Sequence, residues 1–159
     1  MKRIARRCLL AGIAAILLVM TTGSASPGVE AAEQQSAVTI VRLSTGADNQ
    51  THAEEIHVKL NPRSGAFERW LAESETVKAE SFRFRRESPG YVNDWHPAAG
   101  RQYVITLSGK GEIELSGGQK IQLEPGRIML AEDVTGKGHI SRTLGSKDWV
   151  SIHVFLPDR

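Results

Sequence analysis

The amino-acid sequence predicts an all-β protein, an antiparallel sandwich or barrel. Short apolar or alternating runs recur along the chain after residue 37, and Gly-containing turns separate them. The chain has 15 Gly among 159 residues, which suits many tight turns because glycine readily adopts positive φ angles. No segment after residue 37 shows the apolar periodicity of a long helix. Short strands without long helices are typical of sandwiches and barrels.

The first 25 residues predict a secretory signal peptide, with cleavage after Ala25 or as late as Ala31. A basic segment precedes an apolar run at residues 9–20. In a helix that run would rise about 18 Å, less than the roughly 30 Å of a bilayer core. We therefore expect export to the bacterial periplasm or the extracellular space, without stable membrane association after cleavage. An uncleaved N-terminal membrane anchor is the alternative.

The export route stays open, because Arg6 and Arg7 before the apolar run resemble a twin-arginine motif. After the signal peptide, residues 26–37 predict a flexible linker rich in small and polar side chains. We expect residues 38–159 to form one domain.

Charge and cysteine content exclude several classes of protein. The formal net charge is +2, but without the signal peptide's four basic residues the chain has 16 basic and 18 acidic residues. No basic stripe remains, so nucleic acid is excluded as a partner. The one cysteine is Cys8. The body of the chain can therefore form neither an internal disulfide nor a thiolate metal site.

The first half of the domain predicts strands at residues 38–43, 52–60 and 80–86. In the third strand Phe82 and Phe84 alternate with Arg83 and Arg85. We expect the phenylalanines to face the core and the arginines to face solvent. With the faces reversed, the arginines would line a pocket for an anionic ligand.

Between the second and third strands, we expect Trp70 and Leu71 to pack under the barrel. His57 alternates with apolar residues, which predicts an exposed strand position.

The second half predicts strands at residues 102–107, 112–115, 120–123, 127–131 and 149–156. Gly117 and Gly118 predict a tight hairpin between the second and third of these, because such turns need positive φ angles. In the last strand Val150, Ile152 and Val154 alternate with His153, so we expect His153 on the face away from the core.

Two segments carry a resemblance to the cupin superfamily. Residues 90–109 have the spacing of the first cupin motif, G-x5-H-x-H-x3-E-x6-G, with Ala98 at the second His and Gln102 at the Glu. Residues 126–143 resemble the second motif, with a middle that is two residues longer, no Pro, and Thr143 at the final Asn. The likeness covers residues 38–157 and implies a single cupin domain, a jelly-roll-like antiparallel β-barrel.

The same resemblance implies a site inside the barrel, made by His96, Gln102 and His139. Two imidazoles and an amide oxygen suit a divalent cation such as Fe, Mn, Ni or Zn. The alternative is that both histidines only form hydrogen bonds in a polar pocket. Asp133 would either orient His139 or Arg101, or accept backbone hydrogen bonds and fix its own loop.

These observations predict an exported single-domain cupin that binds a small organic ligand, through a divalent metal held by two His and one Gln. The enzymatic version would be an oxygenase or an isomerase. The alternatives are a metal-free pocket that binds or senses a small molecule, and a homodimeric interaction module. The sequence does not decide whether the protein is an enzyme, since cupins have many functions.

Overall fold

The computed structural model describes residues 37–65 and 70–158. The predicted signal peptide, its cleavage positions and almost all of the predicted linker lie outside the described residues. Every regular element in the described part of the chain is a β-strand, which confirms the all-β class. The strands are β1 (Ala37–Thr45), β2 (Thr51–Lys59), β3 (Asn61–Pro62), β4 (Ala72–Glu73), β5 (Ser81–Glu87), β6 (Val92–His96), β7 (Gln102–Ser108), β8 (Gly111–Glu114), β9 (Lys120–Leu123), β10 (Ile128–Glu132), β11 (His139–Thr143) and β12 (Trp149–Phe155).

The strands form two main sheets. One has six strands in the order β2-β1-β10-β7-β12-β5, and the other has four in the order β6-β11-β8-β9. Strands β3 and β4 make a separate short ribbon. All pairings are antiparallel except that of β1 with β10. No helix in residues 37–65 and 70–158 has the length and hydrophobicity needed to cross a membrane.

Strands β5 through β12 pair in a nested pattern. Strand β8 pairs with β9, β7 with β10, β6 with β11, and β5 with β12, and successive pairs alternate between the two sheets. This is the strand order of a double-sheet jelly roll. Closure of the two sheets into a barrel stays a prediction.

The hydrophobic core lies between the two sheets. Leu43, Val104 and Trp149 come from the six-stranded sheet, and Ile113 and Leu123 from the four-stranded sheet. All five are buried. The hairpin expected at the two glycines joins β8 to β9, and the Leu115 amide donates to the Gln119 carbonyl at 2.9 Å.

The predicted facing of β5 is wrong. Phe82 and Phe84 are 66% and 68% exposed, while Arg83 and Arg85 line the space between the sheets. Alternation shows that the two faces of a strand differ, but not which face is inside. The position of Glu87 shows which face of β5 is the inner one. Glu87 is 6% exposed and pairs in register with the buried Trp149, so odd-numbered residues of β5 face inwards.

The predicted facing of β12 is also wrong, for the same reason. Trp149, Ser151 and His153 are buried, whereas Val150 and Ile152 are only half-buried on the outer face. The inner face of β12 therefore carries the polar side chains Ser151 and His153 beside Trp149, and its aliphatic side chains are on the outer face.

Trp70 and Leu71 do not pack under the sheets, because they are 85% and 45% exposed. The prediction for His57 is confirmed: it is exposed on β2, where its Nδ1 lies 3.0 Å from the Thr39 hydroxyl.

Candidate functional site

A cavity of about 120 Å³ lies between the two sheets, at one end of the core. Its floor is apolar and includes Val104, Ile113, Met129 and Trp149. The Trp149 indole Nε1 donates to the Thr106 hydroxyl at 3.1 Å, so its one polar group is satisfied. The rest of the lining is largely polar, and all three side chains of the predicted metal set belong to it.

His96 and His139 lie side by side. They are directly opposite each other in the ladder between β6 and β11, and their ring centroids are 4.6 Å apart. His96 Nδ1 lies 2.6 Å from the Asp94 carbonyl oxygen, and its Nε2 lies 2.8 Å from Asn93 Nδ2. A carbonyl only accepts, so Nδ1 carries the proton and Nε2 accepts from the amide. Burial lowers the pKa of His96, which favours this neutral form.

Asp133 orients His139. Its Oδ2 accepts from His139 Nδ1 at 2.7 Å and from the Thr51 hydroxyl at 3.0 Å. Asp133 is fully buried, and this pairing leaves His139 Nε2 as the nitrogen available to a ligand or an ion. Arg101 is bound by Glu132 instead, at 2.6 Å. Of the alternatives for Asp133, the structure therefore supports the one in which it positions His139.

Gln102 faces the cavity but bonds to a residue that the sequence did not indicate. Its Oε1 accepts from His153 Nδ1 at 2.8 Å, and His153 Nε2 lies 3.1 Å from the Ser151 hydroxyl. Burial lowers the pKa of His153 to about 4, and the positive charges of Arg85 and Arg83 contribute in the same direction. His153 is thus a neutral hydrogen-bonding group at neutral pH.

Strand β5 supplies the fixed charges of the cavity. Arg83, Arg85 and Glu87 project into it from alternate positions. Arg85 pairs with Glu87 at 2.7 Å and donates to the Tyr91 hydroxyl at 3.1 Å. Burial raises the pKa of Glu87, and the charge of Arg85 opposes that shift. Glu87 Oε2 is buried without a hydrogen-bond partner among the described residues.

The fit of a divalent metal can be tested on these contacts. His96 and His139 each have Nδ1 bonded to an oxygen, the arrangement by which proteins orient metal-binding imidazoles. Gln102 has one lone pair engaged by His153 and a second left for a cation or a donor. No group of three or more His, Cys, Asp or Glu in the described ranges is arranged to hold a metal ion. His139 Nε2 is thus available to a cation, whereas His96 Nε2 accepts from Asn93, and binding of a metal by His96, Gln102 and His139 stays a prediction.

Several site residues were missed from the sequence. His153 was placed on the wrong face, and Trp149 and Asn93 were not singled out. The signal that could have found the arginines is Glu87, because an acid two residues after Arg85 predicts a paired, inward-facing charge on one side of the strand.

Fold and site together define a double-sheet jelly-roll domain with a cavity that has an apolar floor and an otherwise largely polar lining. No family model and no curated protein matches the chain. Among solved structures, the chain is similar to a cupin-2 domain containing protein from Shewanella frigidimarina NCIMB 400. The two are 17% identical with a TM-score of 0.38, and the match covers 52% of this chain and 78% of that one.

Proposed function

We propose that this chain is an exported single-domain cupin that binds a small organic ligand in the cavity between its sheets. The observation that supports this most is the convergence of polar side chains on one cavity: His96, His139, His153 and Gln102 all line it. Convergent polar groups above an apolar floor are typical of small-molecule sites. In this proposal the two sheets close into the cupin barrel around the cavity.

In the first version of this function, a divalent metal is bound by His96, Gln102 and His139. This version is supported by two hydrogen bonds, in which Asp133 and the Asp94 carbonyl hold the Nδ1 atoms of the two imidazoles. A bound cation would supply Lewis acidity, and these hydrogen bonds would keep the two imidazoles oriented.

In the second version, the cavity binds its ligand without metal and without catalysis. The observation that favours it is Asn93, whose Nδ2 donates to the His96 Nε2 lone pair that a metal would need. Neutral side chains then recognise the ligand by hydrogen bonds alone.

Elemental analysis of the untagged, mature protein distinguishes the two versions. A His96→Ala/His139→Ala variant is compared with the wild type, and His57→Ala is the matched control because His57 is exposed and outside the cavity. Stoichiometric metal that is kept in the control and lost in the double variant supports the first version. Equal metal in all three proteins, or none in any, would exclude it.

The N-terminal prediction is tested by sequencing the N-terminus of the secreted protein. We propose removal of the signal peptide at Ala25 or as late as Ala31. An intact N-terminus in the membrane fraction would instead establish the anchored form.

We further propose that two copies associate through the outer face of β5. Phe82 and Phe84 are exposed there, in an edge-to-face pair with ring centroids 6.0 Å apart. Among the described strands, β5 is at one edge of the six-stranded sheet. An edge strand with apolar side chains favours pairing with a second copy. Light scattering should show a dimer that Phe84→Gln disrupts and Val92→Gln, on the other sheet, does not. A monomeric wild type would contradict this.

A further inference from the structure

If the cavity binds a small organic ligand, as proposed above, the charged side chains around it specify the chemical class of that ligand. We propose that the ligand is a small organic carboxylate, and that the Arg83 guanidinium in the cavity lining binds its carboxylate group.

Arg83 is the cavity-lining cation on which this inference rests. It lines the cavity from β5 and lies directly opposite His153 in the ladder with β12. Its guanidinium carbon lies 4.9 Å from the centroid of the Phe155 ring. No carboxylate among residues 37–65 and 70–158 forms an ion pair or a hydrogen bond with Arg83. A planar guanidinium without an acidic partner is suited to binding a carboxylate through two parallel hydrogen bonds.

The other charged side chains of the cavity also favour an anionic ligand. The fixed charges in its lining are Arg83, Arg85 and Glu87. Arg85 and Glu87 form an ion pair at 2.7 Å, which leaves the charge of Arg83 uncompensated. Arg83 is therefore the cation of the cavity lining without an acidic partner among the described residues, and a ligand with a negative charge would pair with it.

The size of the cavity limits the rest of the ligand. The cavity volume of about 120 Å³ is small beside the roughly 300–1,000 Å³ of pockets for drug-sized ligands, so it favours a compact ligand. Gln102 and His139 offer hydrogen bonds, and Val104, Ile113 and Met129 form the apolar floor. A carboxylate with a short chain and one further polar oxygen matches a lining that offers a guanidinium, hydrogen-bonding groups and an apolar floor.

The test compares acids with their amides, because each pair differs in charge and hardly in shape. We would titrate EDTA-treated protein with lactate and lactamide, and with propionate and propionamide, and follow the Trp149 indole N–H by NMR. Trp149 lines the cavity floor, so its resonance reports binding inside it. We expect the acids to shift this resonance with an affinity at least about tenfold higher than the amides, since hydrogen bonds to charged groups are about twice as strong as neutral ones.

Arg83→Gln removes the proposed carboxylate contact, and Arg86→Gln is the matched control. Arg86 is the next arginine of the same strand but faces outwards, 3.6 Å from Asp148. Both variants lose one positive charge, so a general electrostatic effect would weaken acid binding equally in both. We expect about a tenfold or greater loss in Arg83→Gln and little change in Arg86→Gln.

Equal affinities for acid and amide would overturn the carboxylate assignment while leaving small-ligand binding in place. Unchanged acid binding in Arg83→Gln would overturn the role of Arg83. The absence of any shift with all four compounds would overturn both this inference and the proposed function. The acid–amide comparison uses the wild type, so it holds even if a variant does not fold.

Discussion

Acidification should destabilise the protein through His153, because this side chain is buried in its neutral form. Its folded-state pKa is about 4, and that of an unfolded histidine is about 6.5. Between these values the unfolded chain binds a proton that the folded chain excludes. Stability should therefore fall as the pH drops from about 6.5 towards about 4.

The size of the effect follows from the shift. One pKa unit corresponds to about 1.4 kcal/mol, so the full contribution is about 3 kcal/mol and the part expressed at pH 5 is about 2 kcal/mol. His153 is 7% exposed, so solvent screens this cost only weakly.

The assay is urea unfolding at about pH 7 and about pH 5, followed by tryptophan fluorescence, for wild type, His153→Gln and His57→Gln. Burial lowers the pKa of His96 and raises that of Glu87, so both groups also contribute to the pH dependence, with opposite signs. They are present in all three proteins, and their contributions cancel when the pH-induced losses are compared. The loss should be about 2 kcal/mol smaller in His153→Gln than in the other two proteins. The reasoning is refuted if His153→Gln loses as much stability as the wild type.

Further predictions concern the backbone and the buried acids. In Gly138→Ala the new Cβ would lie 1.9 Å from a backbone oxygen of β6, at a φ of +73°, and we expect a loss of about 3 kcal/mol or more in unfolding free energy. Gly145→Ala has a similar φ of +77° but open space, and should lose only about 1–2 kcal/mol; equal losses would contradict the steric argument. Glu132→Gln should cost about 2 kcal/mol in the same assay, because its side chain is 6% exposed and bridges two arginines; an unchanged midpoint would exclude that role. Asp133→Asn should release the His139 ring from its fixed tautomer, seen as changed ¹⁵N shifts of both ring nitrogens, and unchanged shifts would show that the carboxylate does not orient the ring.

Much of the fold could be predicted from the sequence because strand signals are local. Alternation and apolar runs placed β7, β8, β9, β10 and β12 close to their observed positions. The turn before Gln119 followed from two adjacent glycines, since their chemistry requires little tertiary context. Pairing between β5 and β12, which joins distant parts of the chain, has no such local signal.

The site was predictable only in part. His96, Gln102 and His139 were found through a spaced motif, and all three line one cavity. Arg83 and His153 were assigned to the outside, because hydrophobicity was taken as the mark of the inner face. That rule fails where a strand borders a polar cavity, since the inward side chains there line the cavity rather than an apolar core.

The nested pairing of the strands has a consequence for when the site can exist. The cavity takes Arg83 from β5 and His153 from β12, and β12 lies between β5 and β7 in the sheet. Until residues as far as β12 have left the ribosome or the export channel, the six-stranded sheet has a gap and the cavity lacks a wall. If the chain is exported and binds a ligand as proposed, export of the unfolded chain would restrict ligand binding to the destination compartment, whereas export of the folded protein would allow binding in the cytoplasm.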